Sequence, residues 1–579
     1  MRCSMKKFFA CLLLFCLALS LCCVPAYGDF DFPFFGDPET GSGTKAGAAD
    51  GLYDPTVKIG LYYDSNALAA ANLQNVSGTG TGYALGYYDD SRSFVETFRV
   101  EDENQITVLK NENLWLSGSA YSDTELPMAK AVGAHCLQVD AFYTLDEALE
   151  VIDAFARAGY DAYPCAVSRG FRVRLGQYTS AEQAKDQLDA AEAAAGYPLV
   201  YRGPSSTGYT VVITGTDQIL YQLDLLGEHP LGIRPLSEKT WFKNQTYYGG
   251  FEYNRVSGGD LNVINVVGMT DYIKGVVPYE VNAAWPTEAI KVQALCAKCY
   301  TLNTLGKHRS KGFDLCNTTD CQVYYGTRKA TDASDAAVEA VNGLYVLYEG
   351  KVCQTYYHAT SGGYTEDVEN IWNSAIPYLR AVEDTYLEVL SPYSNTVTLD
   401  DVTRVLQNKG LIRSNQRVKD FYGTYTKVGN CVGITFLLSD GTVYEAKKDK
   451  ARTVLNSSAG GITVNSHRFT ITGGSGGTTV SVNGASVSTG SLWAVGGSEK
   501  VSSVSVGGAY AITGSGLQQV ETQQQQDTSG VYVIAGTGMG HNIGMSQWGA
   551  YAMAQKGFTA EEIIRFYYTG VTVDYYDPN

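Results

Sequence analysis

One glutamate is placed for proton transfer. Glu280 ends the run Gly268-Met-Thr-Asp-Tyr-Ile-Lys-Gly-Val-Val-Pro-Tyr-Glu280, with Val276, Val277 and Pro278 before it and Trp285 shortly after. A carboxyl among apolar and aromatic neighbours loses hydration of its charged form. Its pKa then rises toward the range where a general acid works near neutral pH. Two further clusters set Gly beside hydrogen-bonding side chains. One runs Cys316-Asn-Thr-Thr-Asp-Cys321-Gln322-Val-Tyr324 and is followed by His358-Ala-Thr-Ser361-Gly362-Gly363-Tyr364-Thr-Glu366. The other is Gly538-Met-Gly-His541-Asn-Ile-Gly-Met-Ser546-Gln547-Trp548-Gly549-Ala550. Glycine lets the backbone approach a ligand while His, Ser and Gln offer hydrogen bonds. The candidate substrate-binding residues are therefore Gln322, Tyr324, His358, Ser361, Gly362, Gly363, His541, Ser546 and Gln547.

Other chemistries fit less well. Cys296-Ala-Lys-Cys299 has the spacing of a redox pair, but it falls inside an amphipathic helix, where small residues on one face are ordinary packing. Cys353 near His358 has no thiol-protease signature around it. Ser361 lies in Thr-Ser-Gly-Gly, not in a Gly-x-Ser-x-Gly elbow. None of the six histidines pair at metal-ligand spacing, so no cofactor and no metal is expected. Cys316 and Cys321 could still bind zinc, but only with another partner.

Several elements must hold these groups. Pro286 and Glu288 mark the start of a helix that runs to about Thr304, which leaves Glu280 just ahead of it. Residues 57–116 alternate apolar and polar side chains between Gly and Asp turns and read as a small β-rich module, which 205–237 would continue. Between them lies an internal repeat. Leu137–Ala148 aligns with Val173–Ala184 at an offset of 36, each copy a strand, an aromatic, a Thr or Ser helix start and a helical run. Two β-α units in one small sheet follow from it. Residues 29–56 read as a tether, and about 475–527 as a Gly/Ser/Thr-rich insertion of short strands ending in glutamines.

Composition narrows the class. At 579 residues with 45% hydrophobic and 18% charged content, the chain can bury cores in several domains. Acidic residues outnumber basic ones 60 to 43, a net charge of −17 that speaks against binding nucleic acid through its phosphates. Met1–Lys7 is basic, Phe8–Val24 is apolar, and Ala26-Tyr27-Gly28 offers a cleavage point. Residues 1–28 thus read as a secretory signal, or as an uncleaved membrane anchor. Five of the 13 cysteines lie in that leader, and the remaining eight permit disulfides without requiring them. The fold class expected is α+β and multi-domain.

In this order, the three clusters resemble the SpoIID/LytB family, named for stage II sporulation protein D, over about 240–575. Asp271-Tyr272, Lys274-Gly275-Val276-Val277-Pro278, Glu280, Trp285-Pro286, Glu288-Ala289, Lys291 and Gln293-Ala294 carry the first part of the likeness. Cys321-Gln322-Val323-Tyr324, Ser361 to Glu366, His541 and Gly544-Met545-Ser546-Gln547 carry the rest. The resemblance implies a lytic transglycosylase of peptide-free peptidoglycan glycan, with Glu280 catalytic, or a non-catalytic enhancer of a cell-wall amidase. Residues 130–203 resemble a SPOR domain, a module that binds glycan strands stripped of their peptides. The partners implied are peptidoglycan glycan strands and a cell-wall amidase, outside the cytoplasmic membrane. One departure concerns the position before Cys321. There the family pattern has a His that, with two Cys, holds zinc in some members. Asp320 stands in its place, so His/Cys₂ ligation is lost, and a Cys316–Cys321 disulfide or two free thiols fits as well. Asn542 also replaces the Gly expected after His541.

Overall fold

The computed structural model describes residues 52–473 and 530–578, except Phe142, Asn373 and Ala459, and within 474–529 only the backbone of short strands. The leader, nearly all of the tether and the side chains of the 475–527 insertion lie outside the described residues.

Alternation along Thr56–Tyr62 buries Val57, Ile59 and Leu61, and this strand pairs antiparallel with Leu261–Gly268. Around the pair a seven-stranded sheet runs in the order Leu315–Cys316, Thr56–Tyr62, Leu261–Gly268, Gly250–Arg255, Leu231–Pro235, Tyr83–Tyr88, Phe94–Val100. No break in this sheet falls near 240. The β-rich N-terminal part and the strand leading to Glu280 are one body, because strand pairing is non-local and composition does not record it.

A ten-stranded sheet contains the repeat. Leu199–Arg202, His135–Val139, Gly170–Tyr178 and Ala162–Val167 lie side by side in that order, and with their helices form a β-α-β-β-α-β unit. The repeated Thr and Ser start its helices. Thr144 and Glu147 form a reciprocal cap on Leu145–Arg157, and the Ser180 hydroxyl accepts from the Gln183 N–H. The two strands outside the repeat, Ala162–Val167 and Leu199–Arg202, complete the unit. Ala162–Val167 also pairs in parallel with Ile219–Leu223, and Arg174 donates to both Gln138 and Gln222, so the unit shares its sheet with the body.

A second core is independent of the first. Val402, Leu406, Phe421, Phe436 and Ile534 bury against one another within 393–473 and 531–536. The segment inserted into the site-bearing domain is thus wider than 475–527. Its ordered strands, such as Cys431–Leu438, have the composition of any core strand and carry no boundary signal. The buried Glu366 carboxylate joins it to the main body by accepting from Asn370, Thr426 and Asn430. Among the described residues, no helix is long and apolar enough to cross a membrane.

Candidate functional site

The helix Met269–Glu280 issues directly from Leu261–Gly268. Its N-terminus is capped from outside the helix: the Asp54 carboxylate accepts from the Thr270 N–H at 2.8 Å and hydroxyl at 3.0 Å. At the other end Pro278 has no N–H to donate and its ring crowds the preceding turn, so the helix stops two residues later. Glu280 is therefore the last residue of a helix rather than a loop residue. Gly275 lets that helix sit close to the second cluster, because a Cβ there would lie 2.3 Å from the Tyr324 ring.

Burial is the main influence on the Glu280 carboxyl and pushes its pKa up to about 7, against the hydrogen bonds from the Val323 N–H, Gln547 amide and Tyr357 hydroxyl that favour the charged form. Two of those partners are themselves tied down. The Gln547 Nε2 donates to the Glu280 carbonyl at 3.4 Å and to Gln293 Oε1 at 3.2 Å. Gln322 donates to the Thr301 hydroxyl at 2.8 Å and accepts from the Tyr357 hydroxyl at 2.9 Å. A phenol has one proton. With it on Gln322, the Tyr357 oxygen can accept from protonated Glu280, and with it turned toward Glu280 it stabilises the carboxylate. Short parallel strands pair Tyr357 with Met545 and His358 with Ser546, which brings the second and third clusters together beside Glu280.

Of the nine candidate binding residues, Gln322 and Gln547 gather at Glu280. The others support the arrangement. Tyr324 is fully buried and its hydroxyl donates to Asn265. Ser361 and Ser546 are also fully buried. Ser361 donates to Asp384 at 2.7 Å, which Tyr567 also reaches, while Ser546 accepts from the Gly549 N–H and caps the helix Gln547–Gln555. Gly362 and Gly363 have φ of 69° and 124°, a turn other residues rarely adopt. Alternation on the Tyr357–His358 strand turns His358 to the opposite face, where its ring lies 5.4 Å from that of His541. Burial depresses both imidazoles, His358 to about 4. Sequence reasoning did not assign Tyr357 or Gln293 to the site. It also left out a half-buried aromatic trio, Trp285, Trp548 and Tyr551, whose ring centroids lie 4.9 to 5.4 Å apart. Trp548 follows Gln547 directly, which was the available signal. A separate cleft of about 510 Å³, lined by Arg92, Phe94 and Arg234, contains none of these groups.

The thiols of the second cluster have company that linear spacing concealed. The loop after the helix Thr287–Thr304 brings His308 back onto the strand Leu315–Cys316, and the donor atoms of His308, Cys316, Asp320 and Cys321 all lie within 4.8 Å of one another. The expectation that His/Cys₂ ligation is lost with Asp320 is thus corrected, since an imidazole from another loop stands beside both thiols. Two thiols, one imidazole and one carboxylate form a donor set suited to zinc. The Cys316 thiol is held well below the ordinary thiol range by hydrogen bonds from Cys321 and His308.

The family model of the stage II sporulation protein SpoIID matches residues 257–348, which include Glu280 and Gln322. An uncharacterised protein of Brachyspira hyodysenteriae is 30% identical over 332 residues, covering 57% of this chain and 73% of that one. The amidase enhancer of Bacillus subtilis is 28% identical over 326 residues, 52% of this chain and 40% of the enhancer. Stage II sporulation protein D of Bacillus subtilis is 25% identical over 363 residues, 58% of this chain and 85% of that protein.

Proposed function

Because this chain belongs to the SpoIID/LytB family, we propose that it is an exported peptidoglycan-remodelling protein whose Glu280 cleaves peptide-stripped glycan strands as a lytic transglycosylase. The observation that carries this reading is a single carboxyl raised to about 7, whose bonded partners are a backbone N–H, a glutamine and a phenol, none of them a carboxylate. Ordinary glycosidases pair two carboxyls, one for acid work and one as base or nucleophile. Glu280 alone suffices if the sugar supplies its own nucleophile. The protonated carboxyl gives its proton to the glycosidic oxygen as the C1–O bond breaks. The resulting carboxylate then takes the proton of the C6 hydroxyl, whose oxygen closes on C1 to a 1,6-anhydro ring. Glu280 ends the cycle protonated, and no water is consumed. A pKa near 7 suits a group that must both give and take a proton.

Gln322 and Gln547 would orient the strand, and the ring faces of Trp285, Trp548 and Tyr551 would stack on sugars. The β-α-β-β-α-β unit at 130–203 would hold the same denuded glycan. A second reading, non-catalytic enhancement of a cell-wall amidase, is favoured by the name of the Bacillus subtilis relative. Incubation of the purified protein with amidase-treated peptidoglycan separates the two. Anhydro-ended fragments, one water lighter than hydrolysis products, support cleavage. No fragments, together with faster release of stem peptides from intact peptidoglycan when an amidase is added, would replace it with the enhancer reading.

A further inference from the structure

The cleft of about 510 Å³ that stands apart from Glu280 is built on the seven-stranded sheet. Its size falls within the range of about 300–1,000 Å³ usual for small-molecule sites. Gly249, Gly250 and Val266 to Gly268 line its floor. One rim is the hairpin turn Ser91-Arg92-Ser93, which is held rigidly. Asp89 accepts from the Ser91 hydroxyl at 2.6 Å and from the Ser93 N–H at 2.9 Å. The Arg92 guanidinium forks onto Asp314 at 2.6 and 2.9 Å, so it braces the turn.

Two donors in this cleft are left over. Arg234 makes no hydrogen bond among the described residues. Its guanidinium lies over the Phe94 ring, 5.2 Å from the centroid, and 4.0 Å from Glu96, whose carboxylate already takes the Arg99 fork at 2.7 and 2.8 Å. Tyr88 is only 7% exposed, yet its hydroxyl too makes no hydrogen bond among the described residues. That hydroxyl lies over the cleft floor, where a Cβ on Gly250 would collide with it. A buried phenol without a partner costs free energy that a ligand would recover. The neighbouring Glu252 is already paired with Lys58 at 2.6 Å. A guanidinium fork and a phenol hydroxyl together recognise a carboxylate. Glu238, exposed on the rim, can accept from hydroxyl or amide N–H groups and would repel a doubly charged phosphate. The best match is a singly charged sugar acid. We propose that this cleft binds the lactyl carboxylate of muramic acid in peptide-stripped glycan, with Arg234 and Tyr88 as its donors.

The identity of the ligand rests on the proposed reading, in which the chain acts on glycan freed of stem peptides. Hydrolysing the amide that holds a stem peptide leaves a carboxylate on that muramic acid, whereas an intact strand has a neutral amide there. Arg234 would therefore sense that the peptide has gone. Gly268 of the cleft floor caps the Glu280 helix, and the 12 residues of that helix span about 18 Å. The cleft is a second hold on a long strand, separate from the groups around Glu280.

Calorimetry on the full chain tests this with three probes: the disaccharide N-acetylglucosaminyl-N-acetylmuramic acid, its neutral N-methylamide, and the free stem peptide. The acid should bind about tenfold or more tightly than the amide, the worth of a charge-assisted hydrogen bond. Arg234→Gln should abolish that preference at an unchanged melting temperature, and Arg234→Lys should restore part of it. Tyr88→Phe should weaken binding of the acid severalfold and leave binding of the amide less affected. Equal binding of acid and amide by the wild type, a preference that persists in Arg234→Gln, or tighter binding of the stem peptide than of the acid would each overturn the assignment. A wild type that prefers the acid yet cleaves no glycan would remove the transglycosylase reading and leave this site standing.

Discussion

The side-chain amide of Gln547 donates to the backbone carbonyl of Glu280 at 3.4 Å, joining two residues 267 positions apart. The same amide reaches Gln293 on the helix Thr287–Thr304 at 3.2 Å. One glutamine therefore sets the end of the Glu280 helix against its neighbour, and the carboxyl is positioned by residues from all three motif clusters.

Glu280→Gln keeps the shape and removes the titratable proton. Cleavage of denuded glycan should fall by about 10²–10⁴-fold, the usual worth of a positioned general acid. Co-sedimentation with glycan should be retained. Unchanged cleavage would remove Glu280 from the mechanism.

The raised pKa gives the reaction and the fold dependences of the same sign, in adjacent pH windows, to check. Cleavage starts from protonated Glu280, so kcat/KM should decline about tenfold per unit above pH 7. A declining limb near pH 4.5 would mean that burial does not act on this carboxyl. For stability, the folded state binds this proton more tightly than the unfolded state does. Its contribution is greatest below about pH 4.5 and is lost as pH rises to about 7. Glu280→Gln has no such loss, so its melting temperature should gain on the wild type between pH 5 and 8.

Tyr357→Phe preserves the ring and deletes the hydroxyl that bridges Gln322 and Glu280. A hydrogen bond of this kind is worth about 0.5–1.5 kcal/mol, so kcat should drop roughly 2- to 13-fold with KM little changed. A purely structural role for the hydroxyl would lower the melting temperature and leave the pH profile where it was.

Trp548→Ala opens the aromatic trio beside Gln547. Glycan affinity should weaken about tenfold, and Trp548→Tyr should restore most of it, since a ring face rather than a particular ring does the stacking. Equal affinity in all three proteins, measured by calorimetry on soluble glycan fragments, would move the sugar path elsewhere.

Much of the chemistry was legible in the linear order of residues. Val276, Val277, Pro278 and Trp285 announced a desolvated carboxyl, and Pro286 with Glu288 marked the next helix. The Thr and Ser caps of the repeat betrayed its two helices. Signals of that kind act over one or two turns, and the chain carries them locally. What surrounds Glu280 did not have that character. Tyr357 had no motif of its own and came to the carboxyl through the pairing of two-residue strands. Asp54, in what reads as a tether, capped the Glu280 helix from more than two hundred residues away. Ser361 and Ser546 looked like ligand contacts because small polar residues beside glycine serve either purpose, and only burial distinguished them. His308 was a lone histidine until the loop after Thr304 folded it onto Cys316 and Cys321. Residue type and spacing determined which carboxyl, thiol and amide groups this protein carries. Which of them face one another was decided by long-range strand pairing and close packing, whose contacts join residues far apart in the chain and leave no periodic trace in it.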